Sequence, residues 1–377
     1  MSAPHRMSRR KLLAAGAALA AAGTAAAAAV KTGAGALEAF GGTPSGRRLE
    51  RMQASPNFAN GAFRNLEPVV DPIDREGGAT KMLGFLLEDQ SAQRPPAALP
   101  SMKAKLSSIE DGSFVWFGHS GFYLRLGGLS IAVDPALHAC FPIGGFFKPF
   151  PGSDIHRPGD IPPLDVLLLT HDHYDHLDMI TVKAIRERVS RVICPLGVGA
   201  HLEAWGYAPE VITELDWGER TPLGRGTATC LPSQHFSGRT WRRNTTLWAA
   251  FMLEIEGLCI FLSGDGGYGR HFAQIGEMWP HIDFAVLEDG QYNRDWAGIH
   301  LMPHDWRMAA SDLGLSAVLP CHNSKFDLSR HAWTDPMETA EASARALGLT
   351  LVTPRIGEPV RLDRLKDFQV RWWRELA

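Results

Sequence analysis

The segment Thr170-His171-Asp172-His173-Tyr174-Asp175-His176 constrains the fold of this chain more than any other stretch. It places His171, His173, Asp175 and His176 within one turn-length of backbone, directly after the apolar run Val166-Leu167-Leu168-Leu169. A short continuous apolar run of this kind predicts a buried strand. His171 and His173 stand two apart, so in extended chain they project to one side. Asp175 and His176 fall where the chain turns into a predicted helix after Leu177. Neutral imidazole and carboxylate are ligands for zinc and similar divalent ions.

Three later residues each follow another predicted strand. His235 follows a run at 227–231, Asp265 follows 258–263, and His322 follows 317–320. Singly, each is what a turn after a strand often carries. In this order, with the first cluster, they supply more donors than one tetrahedral ion takes, which predicts two divalent metal ions, Zn2+ first among them. The five cysteines contain no C-x-x-C pair, so they predict neither a thiolate zinc site nor a redox motif. They read instead as small buried apolar groups. A net charge of −3 excludes the global positive field of a nucleic-acid scaffold, so no nucleic-acid partner is expected.

Residues 1–30 read as an export signal. Arg9-Arg10 precede an Ala-rich, weakly apolar stretch ending in small residues, a pattern of the twin-arginine type. It implies the twin-arginine export machinery as a partner and a periplasmic or secreted location; a retained membrane anchor is the other reading. Residues 31–108 are rich in Gly, Pro and Ala and read as an irregular arm, with 57–68 and 94–100 as irregular chain. Residues 109–377 form the catalytic domain. Strands are predicted at 114–117, 122–126, 129–133, 166–170, 191–194, 227–231, 247–255, 258–263, 284–287 and 317–320. Helices are predicted at 179–189, 199–205, 305–313 and 336–347. Strand pairs followed by alternating strands and helices suggest two packed sheets with helices outside.

Taken together, the seven positions and their order resemble the metallo-β-lactamase superfamily, over residues 115–362. Further stretches are similar to the branch that contains N-acylphosphatidylethanolamine-hydrolysing phospholipase D and its bacterial relatives. These are Trp116-Phe117-Gly118-His119-Ser120, Asp134-Pro135, Pro232-Ser233-Gln234-His235-Phe236-Ser237-Gly238-Arg239 and Arg243-Asn244-Thr245-Thr246-Leu247-Trp248. Residues 292–300, Cys321-His322-Asn323-Ser324-Lys325-Phe326 and His331-Ala332-Trp333 fit the same branch. The resemblance implies an α+β fold, the four-layer αββα sandwich, with metals at the edge between the sheets. It also implies that His171, His173 and His235 hold one metal, that Asp175, His176 and His322 hold the second, and that Asp265 bridges them. It places His300 beside the metals. One departure stands out: Glu288-Asp289-Gly290-Gln291-Tyr292 occupies a place where relatives carry a small apolar run.

Zinc lowers the pKa of its bound water to about 7, and two ions about 3.5–4 Å apart can share the resulting hydroxide. Such a centre suits attack at a phosphodiester, the phospholipase D-like reading, or at a lactone or amide carbonyl. The expected substrate is a small molecule or a lipid. Asp265 would orient the nucleophile. His300 would protonate the leaving group, unless it is a buried structural histidine. Arg239, Arg242, Arg243 and Lys325 offer positive charge for non-bridging oxygens, or are ordinary surface charge. His119 and Asp134 are read as groups that orient ligands. The aromatic loop 140–150 either packs against the arm, or lines a pocket for an apolar tail or touches a lipid surface.

Overall fold

The computed structural model describes residues 35, 37–69, 91–138, 140 and 147–376. The export-signal segment, residues 70–90 of the arm and most of the aromatic loop lie outside the described residues. No helix among the described residues is long and apolar enough to cross a membrane.

The arm carries more regular structure than its composition suggests. It contains helix α1 (Gly46–Ala54) and the short strands β1 (Phe58–Ala59) and β2 (Ala62–Phe63), which pair antiparallel. The turn between them is Asn60-Gly61, with φ of 56° and 80°. Two successive positive φ values are the signature of the I′ hairpin turn that Asn-Gly favours. Within the expected irregular chain at 57–68, residues 58–63 therefore form a hairpin whose signal stands in the sequence, while 64–68 carry no helix or strand.

Two sheets follow. The first takes β3 (Ser113–Trp116), β4 (Phe122–Leu126), β5 (Leu129–Val133), β6 (Val166–Leu168), β7 (Val192–Pro195) and β8 (Ile212–Leu215). The second takes β9 (Arg220–Leu223), β10 (Gly226–Leu231), β11 (Ala250–Ile255), β12 (Leu258–Leu262), β13 (Phe284–Glu288), β14 (Ala317–Cys321) and β15 (Thr350–Leu351). The last strand, β16 (Pro359–Arg361), returns to the first sheet and pairs antiparallel with β3. With it in place, both sheets read the same way across: antiparallel pairings on one side, parallel pairings on the other. The fold is thus built from two similar halves that share no fixed-period repeat in sequence.

Strand alternation explains why these runs are continuously apolar. Phe122, Leu124 and Leu126 of β4 and Phe251, Leu253 and Ile255 of β11 enter the core between the sheets. Tyr123 and Ala132 face the other way, against helices α2 (Met179–Ile185) and α3 (Gly199–Ala204). Met252, Phe261 and Ala285 likewise face α4 (His271–Met278), α5 (Pro303–Asp312) and α6 (Asp335–Leu347). Both faces of the central strands are covered, so these need no polar side; the edge strand β9 instead alternates exposed and buried residues. The result is the four-layer αββα sandwich.

The expected strand 247–255 differs in a way that matters for the site. Its ladder begins only at Ala250. Ahead of it, Leu247 N donates to Leu196 O at 2.8 Å and Ala249 N to Thr170 O at 3.0 Å. This stretch therefore ties the second sheet to the first beside the His171 segment. Strands β8, β9, β15 and β16 and helix α4 were not anticipated.

Candidate metal centre

Strand ends deliver the polar residues to one edge of the sandwich. His119 follows β3, Asp134 follows β5, His171 to His176 follow β6, His235 follows β10, Asp265 follows β12 and His322 follows β14. His119, Asp134 and His322 have φ of 54°, 39° and 64°. Such left-handed backbone in residues with a Cβ costs energy and persists where surrounding structure over-determines it. Gly264, at φ 57°, turns the chain so that Asp265 points inward; a Cβ there would meet Ala249 O at 2.6 Å.

All seven sequence-selected donors come together. Ligand atoms of His171, His173, His235 and Asp265 lie within 4.8 Å of one another. Those of His119, Asp175, His176 and His322 do so too, as do those of Asp265, His300 and His322. Asp265 reaches both groups. Its Oδ2 lies 3.1 Å from His176 Nε2 and 3.8 Å from both His171 Nε2 and His235 Nε2, and its Oδ1 lies 3.1 Å from His322 Nδ1.

The ring spacings fit a cation. His171 Nε2 is 2.9 Å from His173 Nδ1, and His235 Nε2 is 3.2 Å from the same atom. Donors about 2.0–2.1 Å from a tetrahedral zinc sit roughly 3.3 Å apart. Burial holds His171, His235 and His322 well below the ordinary imidazole range and His173 down to about 4. Neutral rings at pH 7 keep the lone pairs that a metal requires. His176 differs: burial would lower it, but Asp265, Asp175 and Asp134 around it outweigh that and raise it well above 6.5. Cation and proton would thus compete for the same acidic cage.

Several outer contacts set ring orientation. His176 Nδ1 lies 2.8 Å from Asp134 Oδ2, which also accepts from Thr170 Oγ1 at 2.5 Å. His119 Nε2 lies 2.8 Å from Asp175 Oδ2. His235 Nδ1 donates to Ile299 O at 2.8 Å. Each bond uses one ring nitrogen or carboxylate oxygen and leaves another for the centre.

His300 stands beside both groups, its ring centroid 5.0 Å from that of His235 and 5.2 Å from that of His322. Its Nδ1 lies 2.5 Å from Glu288 Oε1. Glu288 is fully buried at the end of β13, and its Oε2 accepts from Gly266 N at 2.7 Å. Glu288, the first residue of the segment 288–292 singled out in the sequence, therefore supplies the partner of His300. Sequence reasoning singled out the segment and missed this role, because Glu288 ends a strand and His300 lies 12 residues further on, beyond the intervening loop.

Two of the suggested phosphate-binding cations are committed elsewhere. Arg239 is buried; it donates to Ala39 O, Asp172 O and Leu177 O and sits over the Tyr174 ring at 4.0 Å. Lys325 is buried, with Nζ donating to Phe117 O at 2.9 Å. Arg242 is exposed. Arg243 lies 4.6 Å over the Phe236 ring, which itself packs against His173 and His235.

A family model described as the beta-lactamase superfamily domain matches residues 131–323. An uncharacterised protein of Mycobacterium tuberculosis is 35% identical over 357 residues, covering 90% of this chain and 94% of that protein. The chain belongs to the metallo-β-lactamase superfamily. Within the superfamily it is similar to an N-acyl-phosphatidylethanolamine-hydrolyzing phospholipase D of Caenorhabditis elegans, 29% identical over 249 residues, 58% of this chain and 68% of that one. The solved structure of CmlA, a diiron β-hydroxylase from Streptomyces venezuelae, superposes with a TM-score of 0.52 at 18% identity, covering 67% of this chain and 55% of that chain. The superfamily match and the donor clusters make this chain a metallo-hydrolase with a site for divalent metal.

Proposed function

We propose that the chain is a binuclear zinc hydrolase acting on phosphodiesters of the N-acylphosphatidylethanolamine type. The observation that carries the reading is Asp265, which lies between the donor groups: its Oδ2 is 3.8 Å from His171 and His235 of one and 3.1 Å from His176 of the other, and its Oδ1 is 3.1 Å from His322 of that second group. His171, His173 and His235 would hold one ion; Asp175, His176 and His322 would hold the other; Asp265 would touch both. When bound, the ions supply Lewis acidity and an activated nucleophile at neutral pH. Glu288 orients His300 through Nδ1, so Nε2 is the atom that passes a proton to the departing alkoxide. The aromatic face of Phe236 with Arg243 above it supports an anionic group approaching beside His173. Similarity to the Caenorhabditis elegans phospholipase D supports the phosphodiester over a lactone or amide, the alternative on the same centre.

Two further parts of the reading concern location. Arg9-Arg10 before the Ala-rich stretch support twin-arginine export to the periplasm or beyond. Trp241, 88% exposed and next to Arg242, supports peripheral contact with a lipid surface.

The test is purified zinc-loaded protein assayed on phosphodiester, lactone and amide panels, with metal content measured on the same sample. Turnover confined to lactones or amides overturns the phosphodiester reading. Iron as the bound metal, with zinc inactive, overturns the zinc reading.

A further inference from the structure

Asn65 lies in the arm, outside the region 109–377 expected to hold the catalysis and outside the matched residues 131–323. Its side chain nevertheless closes on a metal-ligand candidate 170 positions away. Asn65 Nδ2 donates to His235 O at 2.7 Å, and His235 N donates to Asn65 Oδ1 at 3.0 Å. Trp248 Nε1 donates to the same Oδ1 at 3.2 Å. The two donors at Oδ1 fix which way the amide faces, since a flipped NH2 would meet two N–H groups.

His235 needs such a partner. It stands beyond the end of β10, where the backbone has left the ladder, and its buried N–H and C=O still require hydrogen bonds. A primary amide offers a donor and an acceptor side by side, so it pairs with both as a neighbouring strand would. The ring is set separately, by Nδ1 donating to Ile299 O. Backbone and ring together leave the imidazole no freedom, with Nε2 aimed at His173. The arm makes further contacts nearby: Arg270 N donates to Glu67 Oε1 at 3.2 Å, on the loop after Asp265.

We infer that Asn65 is a positioning residue for the metal centre, holding His235 in ligating geometry, so that the arm is a working part of the site. This rests on His235 being a zinc ligand. The experiment is zinc titration of metal-free full-length protein in competition with a chromophoric chelator, alongside melting curves of the metal-free forms. Asn65→Ala should weaken one of the two zinc sites by about 10–100-fold, the range for outer partners of ligands. Asn65→Asp keeps the acceptor for His235 N and Trp248 but cannot donate to His235 O, so it should weaken the same site, and it serves if the alanine variant does not fold. Leu99→Ala empties a buried core position in the same arm, in a cluster that includes neither Asn65 nor its partner Trp248; it should lower the melting temperature and leave zinc affinity unchanged. Wild-type zinc affinity in both Asn65 variants overturns the inference. So does an equal loss in Leu99→Ala. Failure of the wild type to bind zinc, or undiminished binding by His235→Ala, overturns the metal-site reading and the inference with it.

Discussion

Lys325→Met should make the protein more stable at neutral pH, and the gain should vanish in alkali. Lys325 is 1% exposed, its Nζ donates to Phe117 O, and no carboxylate among the described residues forms an ion pair with it. Burial pushes its ammonium down to about 8 from an ordinary 10.5. That gap, at about 1.4 kcal/mol per pH unit, corresponds to about 3 kcal/mol of destabilisation while both folded and unfolded chains carry the proton. Methionine fills similar volume without a charge, but it leaves the Phe117 carbonyl unsatisfied, at about 1–3 kcal/mol. The net expectation at pH 7 is a gain of up to about 2 kcal/mol. Between pH 8 and 10.5 the native lysine has released a proton that the unfolded chain still holds, so wild-type stability rises with pH there. The variant lacks that rise. Denaturant titrations of both metal-free proteins from pH 7 to 10 measure the difference. A stability difference that does not change with pH would refute the argument, because the burial cost of the charge would then be absent.

His300→Ala should keep both zinc ions and lose rate by roughly 10²–10⁴-fold on substrates with poor leaving groups, with a much smaller loss on good ones; a uniform loss across leaving groups would exclude the acid role. His171→Ala should instead lose metal and activity together, as read by elemental analysis of the purified protein. Phe251 is fully buried between the sheets, so Phe251→Ala should cost about 3–5 kcal/mol in denaturant unfolding, and a cost below about 1 kcal/mol would mean that this core is not packed as described. Replacing Arg9 and Arg10 together by Lys should trap precursor in the cytoplasm; unchanged secretion of mature protein would show that the signal is of another type.

What the sequence determined by itself is whatever depends on neighbours along the chain. The donors from His171 to His176 sit within one short loop after an apolar run, and His235, Asp265 and His322 each follow a run of strand-forming residues. Local order was therefore enough to put all seven positions forward, their sequence along the chain and the resemblance deciding the set; the fold gathers His119 and His300 with them. The Asn60-Gly61 turn carries a signal just as local, since two left-handed residues between short apolar pairs need no distant partner, yet the segment was read as irregular chain.

Tertiary structure decided everything that depends on which strand end faces which. Asp265 meets His176 across 89 residues, and Asn65 meets His235 across 170. Nothing near Glu288 in sequence says that its carboxylate will find His300, or that Arg239 and Lys325 will be buried on backbone carbonyls rather than offered to a substrate. The return of β16 to close the first sheet also follows from pairing and not from periodicity. A hydrophobic pattern states that a strand is buried, because burial is a property of its own side chains. It does not state its neighbour, because backbone hydrogen bonds are chemically alike in every strand, and only the packing of the whole sandwich selects among them.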